Sequence, residues 1–162
     1  RIFYACGLAE ALPLQSDSVD VIFMSMVFHH FTDPERVARE CRRVLRENGR
    51  LCLRTASREK IARYPYVPYF PGSKALLEEV LPTLRFQTQV FETASFRVLY
   101  SGDLTQQIAS NYSAYADKLA LRADSILVRL DDQEFDAGIA ALRGEKSVGP
   151  IIEPIDFIVF EK

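Results

Sequence analysis

The amino-acid sequence predicts an α/β fold, and three observations lead there. Val19 to Met26 is an almost unbroken apolar run interrupted by Asp20 and Ser25, the pattern of a strand covered on both faces. After it, Val37, Cys41, Val44 and Leu45 fall at i, i+4, i+7 and i+8, one apolar helical stripe. Arg50 to Thr55 then alternates Leu51 and Leu53 with polar neighbours, as a strand does. Strand, helix, turn and strand within about 40 residues make a βαβ unit, with parallel strands and a right-handed crossover.

Ahead of this unit, Arg1 to Ala5 is a short apolar, aromatic run that reads as a strand ended by Gly7. Leu8 to Leu14 follows with Pro13 as a breaker, and Ser16-Asp17-Ser18 is turn chemistry. Thr32 or Asp33 caps the helix and Pro34 stands in its first turn. Asn48-Gly49, tolerant of left-handed backbone, is expected to end it. Arg36, Arg39, Arg42, Arg43 and Arg46, with Glu35, Glu40 and Glu47, read as its solvated face. Residues 64–72 hold three prolines, which forbid a regular helix, so Tyr64, Tyr66, Tyr69 and Phe70 are presented from a stiff loop. Ser73 to Leu81 reads as a short helix stopped by Pro82, and Thr83 caps another over 84–94. Phe96 to Tyr100 is a strand, and 110–122 and 131–143 are helices, the second with Phe135, Ile139 and Leu142 on one face. Gly149-Pro150 breaks the chain, and Ile151 to Phe160 closes it as a strand. No repeat, low-complexity tract or linker interrupts residues 1–162, which read as a single domain.

Composition narrows the partners. The 162 residues carry net charge −2, which gives no electrostatic case for nucleic acid. No apolar run approaches the ~18 residues of a membrane helix, so no membrane partner is expected. Cys6, Cys41 and Cys52 are an odd, poorly spaced set, which argues against disulfides or a cysteine zinc site and for a cytoplasmic setting. His29 and His30 are the chain's two histidines. Adjacent side chains point apart on regular backbone, so no metal site is expected from them. A capping or packed histidine is the common role, and proton removal or substrate positioning the functional one.

Four segments in order carry a family resemblance: Gly7-Leu8-Ala9-Glu10-Ala11-Leu12-Pro13-Leu14, Asp17-Ser18-Val19-Asp20-Val21-Ile22, His29-His30-Phe31, and Arg43-Val44-Leu45-Arg46-Glu47-Asn48-Gly49-Arg50-Leu51. Together they resemble the class I S-adenosylmethionine-dependent methyltransferases from the family's third strand onward. The resemblance implies a Rossmann-like sheet, mostly parallel with an antiparallel C-terminal strand. It implies S-adenosyl-L-methionine as cofactor and a small-molecule methyl acceptor. It places Leu8, Ala9 and Glu10 against adenine, with Leu8 standing where the family has an Asp, so that a backbone N–H of Leu8 or Ala9 makes the contact. Met24 and Ser25 then lie beside the methionine portion, Val27 to His30 border the transferring methyl group, and His30 is the candidate base. Tyr64, Tyr66, Tyr69 and Phe70 are candidates for a substrate lid, with a packed covering as the other reading. Residues 57–95 and 104–148 read as substrate-side insertions.

The seven glycines form no Gly-x-Gly-x-Gly turn, and the chain starts at Arg1 rather than Met. The expectation is therefore a domain truncated at its N-terminus, lacking the first half of the cofactor site and by itself inactive. A non-catalytic methyltransferase-like interaction module is the alternative, supported by Leu8 and the missing glycine turn. A dinucleotide-dependent reductase conflicts with the motif order. In the family's sheet the first and second strands separate the third from the fourth. The strand at Val19–Ser25 is thus expected to have a bare edge, covered by residues 1–5, by missing strands or by a second chain in a homodimer. Ile155 to Phe160 is expected to pair with both Phe96–Tyr100 and Arg50–Thr55.

Overall fold

Three of the chain's N-cap residues act where they stand. In the computed structural model, which describes residues 2–162, the Asp33 side chain accepts from the Arg36 N–H at 2.9 Å and opens helix α1 (Pro34–Val44), with Pro34 in the first turn. Thr83 caps α3 (Leu84–Thr93) the same way through the Phe86 N–H, and Asp131 caps α5 (Asp132–Gly144) through that of Glu134. The remaining elements are β1 (Val19–Ser25), β2 (Leu45–Thr55), α2 (Pro71–Val80), β3 (Arg97–Ala109), α4 (Tyr112–Leu119) and β4 (Ile151–Glu161). Among the described residues the strands form one sheet in the order β1-β2-β4-β3. β1 and β2 are parallel, and β4 runs antiparallel to β2. The last strand therefore lies between β2 and β3, as its sequence predicts.

Two units divide the chain. The first holds residues up to Ala56, Pro82–Asp103 and Asp156–Lys162; the second holds Ser57–Leu81 and Leu104–Ile155. In the first, the α1 stripe of Val37, Cys41 and Val44 is fully buried, together with Leu51 and Leu53 of β2. Phe91 of α3 anchors the aromatic side of that core, 4.9 Å from the Phe160 ring and 5.8 Å from Phe96. Glu161 of β4 accepts from Arg50 of β2 and Arg97 of β3, tying its strand to both neighbours.

In the second unit, Phe70 is fully buried and packs on Phe135 of α5 at 5.9 Å. A Cβ at Gly138 would meet the Phe70 ring at 2.3 Å, so α5 approaches that ring only because position 138 lacks a side chain.

Four expectations are corrected. Residues 2–5 are not a strand: Ile2 and Tyr4 are 77% and 91% exposed, and the segment joins no ladder among the described residues, since strand-like composition alone does not supply a paired neighbour. Arg1 of that run lies outside the described residues. The free edge of β1 is consequently not covered by this segment. Nor is β1 covered on both faces, since Val21 and Phe23 are exposed while Ile22 and Met24 pack on the core. Finally, α1 ends at Val44, short of Asn48-Gly49. The N–H groups of Asp17 and Ser18 donate to the carbonyls of Arg43 and Val44 at 2.9 and 2.8 Å, satisfying the helix end early. The residues between become a bulge, with the register jumping from Val19↔Leu45 to Val21↔Arg50 and Asn48 at φ 59°.

The two glycines of α5 offer a paired test. Gly138→Ala should lower stability by roughly 1–3 kcal/mol through overpacking against Phe70. Gly144→Ala, with nothing within 4 Å of its added Cβ, should be neutral or mildly stabilising. Urea unfolding of both variants checks the contrast, and equal midpoints would contradict it.

Candidate functional site

In an open sheet, ligands gather beyond the carboxyl ends of parallel strands. At that end of β1 the Ser25 hydroxyl accepts from the Arg54 guanidinium at 2.9 Å, and the Met26 N–H donates to the Arg54 carbonyl at 2.8 Å. Met26 then takes φ 54°, a left-handed residue that turns the chain out of the sheet. Val27 leads into a single 3₁₀ turn, Phe28–His30. Phe28 plugs into the core at 3% exposure and leaves His30 on the surface. The two histidines do not point apart. Their rings lie 4.1 Å centre to centre, inclined by 46°, because a one-turn 3₁₀ segment lacks the regular backbone that would separate them. Among the described residues, no group of three or more His, Cys, Asp or Glu side chains is arranged to hold a metal ion.

The Leu8–Glu10 segment sits in a tight turn in which the Ala11 N–H donates to the Leu8 carbonyl at 3.1 Å. The Leu8 side chain is 70% exposed, whereas Ala9 packs against the core cluster. The Glu10 carboxylate accepts from the Thr32 hydroxyl at 3.3 Å, and its carbonyl accepts from Arg36 Nε at 3.0 Å. The first unit thus holds every residue predicted for cofactor contact, and His30 with them.

Sequence reasoning missed the part that four side chains play here. Arg54 secures Ser25. Gln87 of α3, fully buried, accepts from Thr55 Oγ1 at 2.8 Å and donates to the Ala56 carbonyl at 2.9 Å, fixing the carboxyl end of β2. Glu40 and Arg43, read as part of a solvated face, form a two-pronged pair at 2.8 Å on each prong. Their spacing places them on one helical turn, but nothing in the local sequence says that the turn faces another segment.

The four aromatics predicted for the acceptor side fall in the second unit. Tyr64 and Tyr66 are each 5% exposed and stack at 6.1 Å, and Phe70 is buried beside Tyr66. Tyr69 is the half-buried one; its hydroxyl donates to Glu145 at 2.8 Å and its ring lies 5.9 Å from Tyr112. Burial, helped by Glu145, pushes the Tyr69 hydroxyl upward, so it stays protonated at neutral pH.

Residues 2–53 match the methyltransferase domain family. A Mycobacterium tuberculosis protein named as an S-adenosylmethionine-dependent methyltransferase is 49% identical over 118 residues, 72% of this chain and 43% of that one. The ubiquinone/menaquinone biosynthesis C-methyltransferase of Vibrio parahaemolyticus is 26% identical over 153 residues, 94% of this chain and 49% of that one. The fold is similar to a solved protein of Anabaena variabilis, assigned to an antibiotic biosynthesis pathway as a methyltransferase. That likeness has a TM-score of 0.72 at 20% identity over 94% of this chain and 70% of that one. The chain spans about a fifth of the length of several curated relatives and less than half of these two. Among the described residues, no helix is long and apolar enough to cross a membrane.

The Arg43 guanidinium bonded to Glu40 holds that carboxyl down to about 2 from its ordinary 4.5, outweighing the opposite push of burial; the Leu12 N–H and Arg36 assist. Because the folded value lies below the ordinary one, the charged pair contributes in full above pH 4.5 and is lost as pH falls toward 2. A carboxyl NMR titration should place the Glu40 midpoint near 2 and move it back toward 4.5 in Arg43→Ala. A wild-type midpoint at 4.5 would contradict this pairing.

Proposed function

We propose that this chain, which belongs to the class I S-adenosylmethionine-dependent methyltransferase family, takes part in methyl transfer to a small-molecule acceptor in the cytoplasm. The observation that carries the reading is the folding of the family-like segments into one unit around the carboxyl end of β1, where Ser25, Met26 and His30 meet solvent beyond a parallel strand. The residues present fit the cofactor in a specific way. Leu8 keeps an apolar side chain in solvent on a turn backed by Ala9, a surface suited to an adenine face. Glu10 stands at that turn, and Met24, Ser25 and Val27 provide the strand end and bend for the methionine portion.

S-adenosylmethionine, when bound, supplies a methyl group on a sulfonium that any aligned nucleophile can take. What the protein adds is alignment and exclusion of water. With cofactor and acceptor bound, His30, exposed at the end of its turn, would take up the acceptor's proton on an imidazole nitrogen. Of the four predicted aromatics of the second unit, Tyr69 is the one only half-buried, while Tyr64, Tyr66 and Phe70 are buried. Leu8 in place of the family's Asp favours a second reading, a non-catalytic module that keeps the methyltransferase sheet as an interaction surface, with the exposed β1 edge as the place where a second copy pairs.

Calorimetry with S-adenosylmethionine on the protein expressed from its complete gene separates the two readings. The enzyme reading expects saturable binding, and its absence favours the interaction module. On the same protein, His30→Ala should lower kcat by about 10²-fold or more while cofactor affinity stays within twofold. Unchanged kcat would remove His30 from the mechanism. Tyr69→Ala should reduce turnover more than thermal stability, and Tyr66→Ala the reverse, because Tyr66 is buried. Parallel losses at both positions would leave the loop a packing element alone.

A further inference from the structure

Residues 10–16 have no partner strand, yet α1 bonds their backbone at successive points. Arg36 Nε donates to the Glu10 carbonyl at 3.0 Å. The Leu12 N–H donates to Glu40 Oε2 at 2.9 Å, while the Leu12 carbonyl accepts from Arg43 at 3.1 Å. A further Arg43 nitrogen donates to the Leu14 carbonyl at 2.8 Å and to Ser16 Oγ at 3.4 Å. The same guanidinium grips Glu40 with two bonds of 2.8 Å. One ion pair therefore pinches both polar groups of Leu12. Arg42 and Arg46 of this stretch turn elsewhere, to the Ser95 carbonyl and to Asp20.

We propose that Arg43, oriented by Glu40, is a positioning residue of the cofactor site: it fixes the 10–16 loop on α1 and so holds Leu8–Glu10 ready for the nucleoside end of S-adenosylmethionine. This rests on the functional reading above. Arg43 touches no cofactor residue itself. It acts through Leu12, two residues from Glu10, whose carbonyl Arg36 holds in turn. Only a planar fork can grip a carboxylate on two prongs and still reach two carbonyls, so lysine is not an equivalent. Without the pinch, the loop's ordering falls to the binding step, and affinity drops for want of preorganisation.

The test uses the protein expressed from its complete gene, with S-adenosylmethionine as the probe. In Arg43→Ala the KM for S-adenosylmethionine should rise about tenfold or more with kcat within twofold. The Leu12 amide should lose its hydrogen-exchange protection, and Arg43→Lys should restore neither. An unchanged KM, a fall in kcat at constant KM, or full rescue by lysine would overturn the positioning role. Should Arg43→Ala fail to fold, Glu40→Gln is read instead: a KM raised several-fold supports the proposal, and an unchanged KM overturns it. A wild-type protein that binds no S-adenosylmethionine overturns the functional reading and this proposal together. That result is distinct from binding that the variants leave intact.

Discussion

The handover from α1 to β2 at Val44–Leu45 is the constraint on which the first unit depends. Helix ends leave carbonyls without partners, and here the amides of Asp17 and Ser18 take those of Arg43 and Val44. That contact places the start of β1 beside the start of β2, so Val19 can only face Leu45. The excess chain is absorbed by a bulge, where Asn48 is left-handed and a Cβ at Gly49 would meet the Arg46 carbonyl at 2.8 Å. From Val21↔Arg50 onward the ladder is regular to Ser25↔Arg54, where the bend into the candidate site begins. One capping contact thus sets the depth at which Ser25 and His30 emerge.

Packing holds that register. A one-residue slip would turn Leu51 and Leu53, both fully buried, toward the other face of the sheet. On the far side β2 is fixed by β4, whose Ile158 and Phe160 pair with Leu53 and Leu51 and are themselves buried. The electrostatic tie follows the same logic: Glu161, lowered chiefly by its hydrogen bond from Arg97, joins β3 as well as β2. Cys41 belongs to this interior. Burial pushes its thiol up to about 12, so it is an inert hydrophobe rather than a nucleophile.

Elements with local punctuation were legible in the sequence. Asp33-Pro34, Thr83 and Asp131 each start a helix where they stand, and the placement of Ile155–Phe160 between two strands followed from the family-like order. Elements that depend on a distant partner were not. The run Ile2–Ala5 has strand-like composition, but strand formation is settled by a neighbour's backbone, which composition does not report. The same blindness hid Gln87, whose value lies in being buried opposite Thr55, and Arg43, which looks like any other charge on an amphipathic helix. In the candidate site the residues named from motifs do gather in one unit. The side chains that hold them in place come from positions no motif marks.

That asymmetry has a physical origin. Residues proposed to touch a ligand are constrained in type by its chemistry, so a sequence word such as His29-His30 draws notice. Residues that position them are constrained by the reach and fork geometry their place in the fold demands, which no local motif records. Arg54 holding Ser25, Gln87 holding Ala56 and Arg43 holding Leu12 are three long or forked donors reaching backbone or hydroxyl acceptors from elements more than 25 residues away in the chain. The Ala56 and Leu12 carbonyls are backbone acceptors of the kind a regular ladder would otherwise serve, and the Ser25 hydroxyl is held at the last rung. The candidate site is therefore built where the sheet's own hydrogen bonding stops, and its precision comes from α1, α3 and β2 side chains standing in for a neighbouring strand.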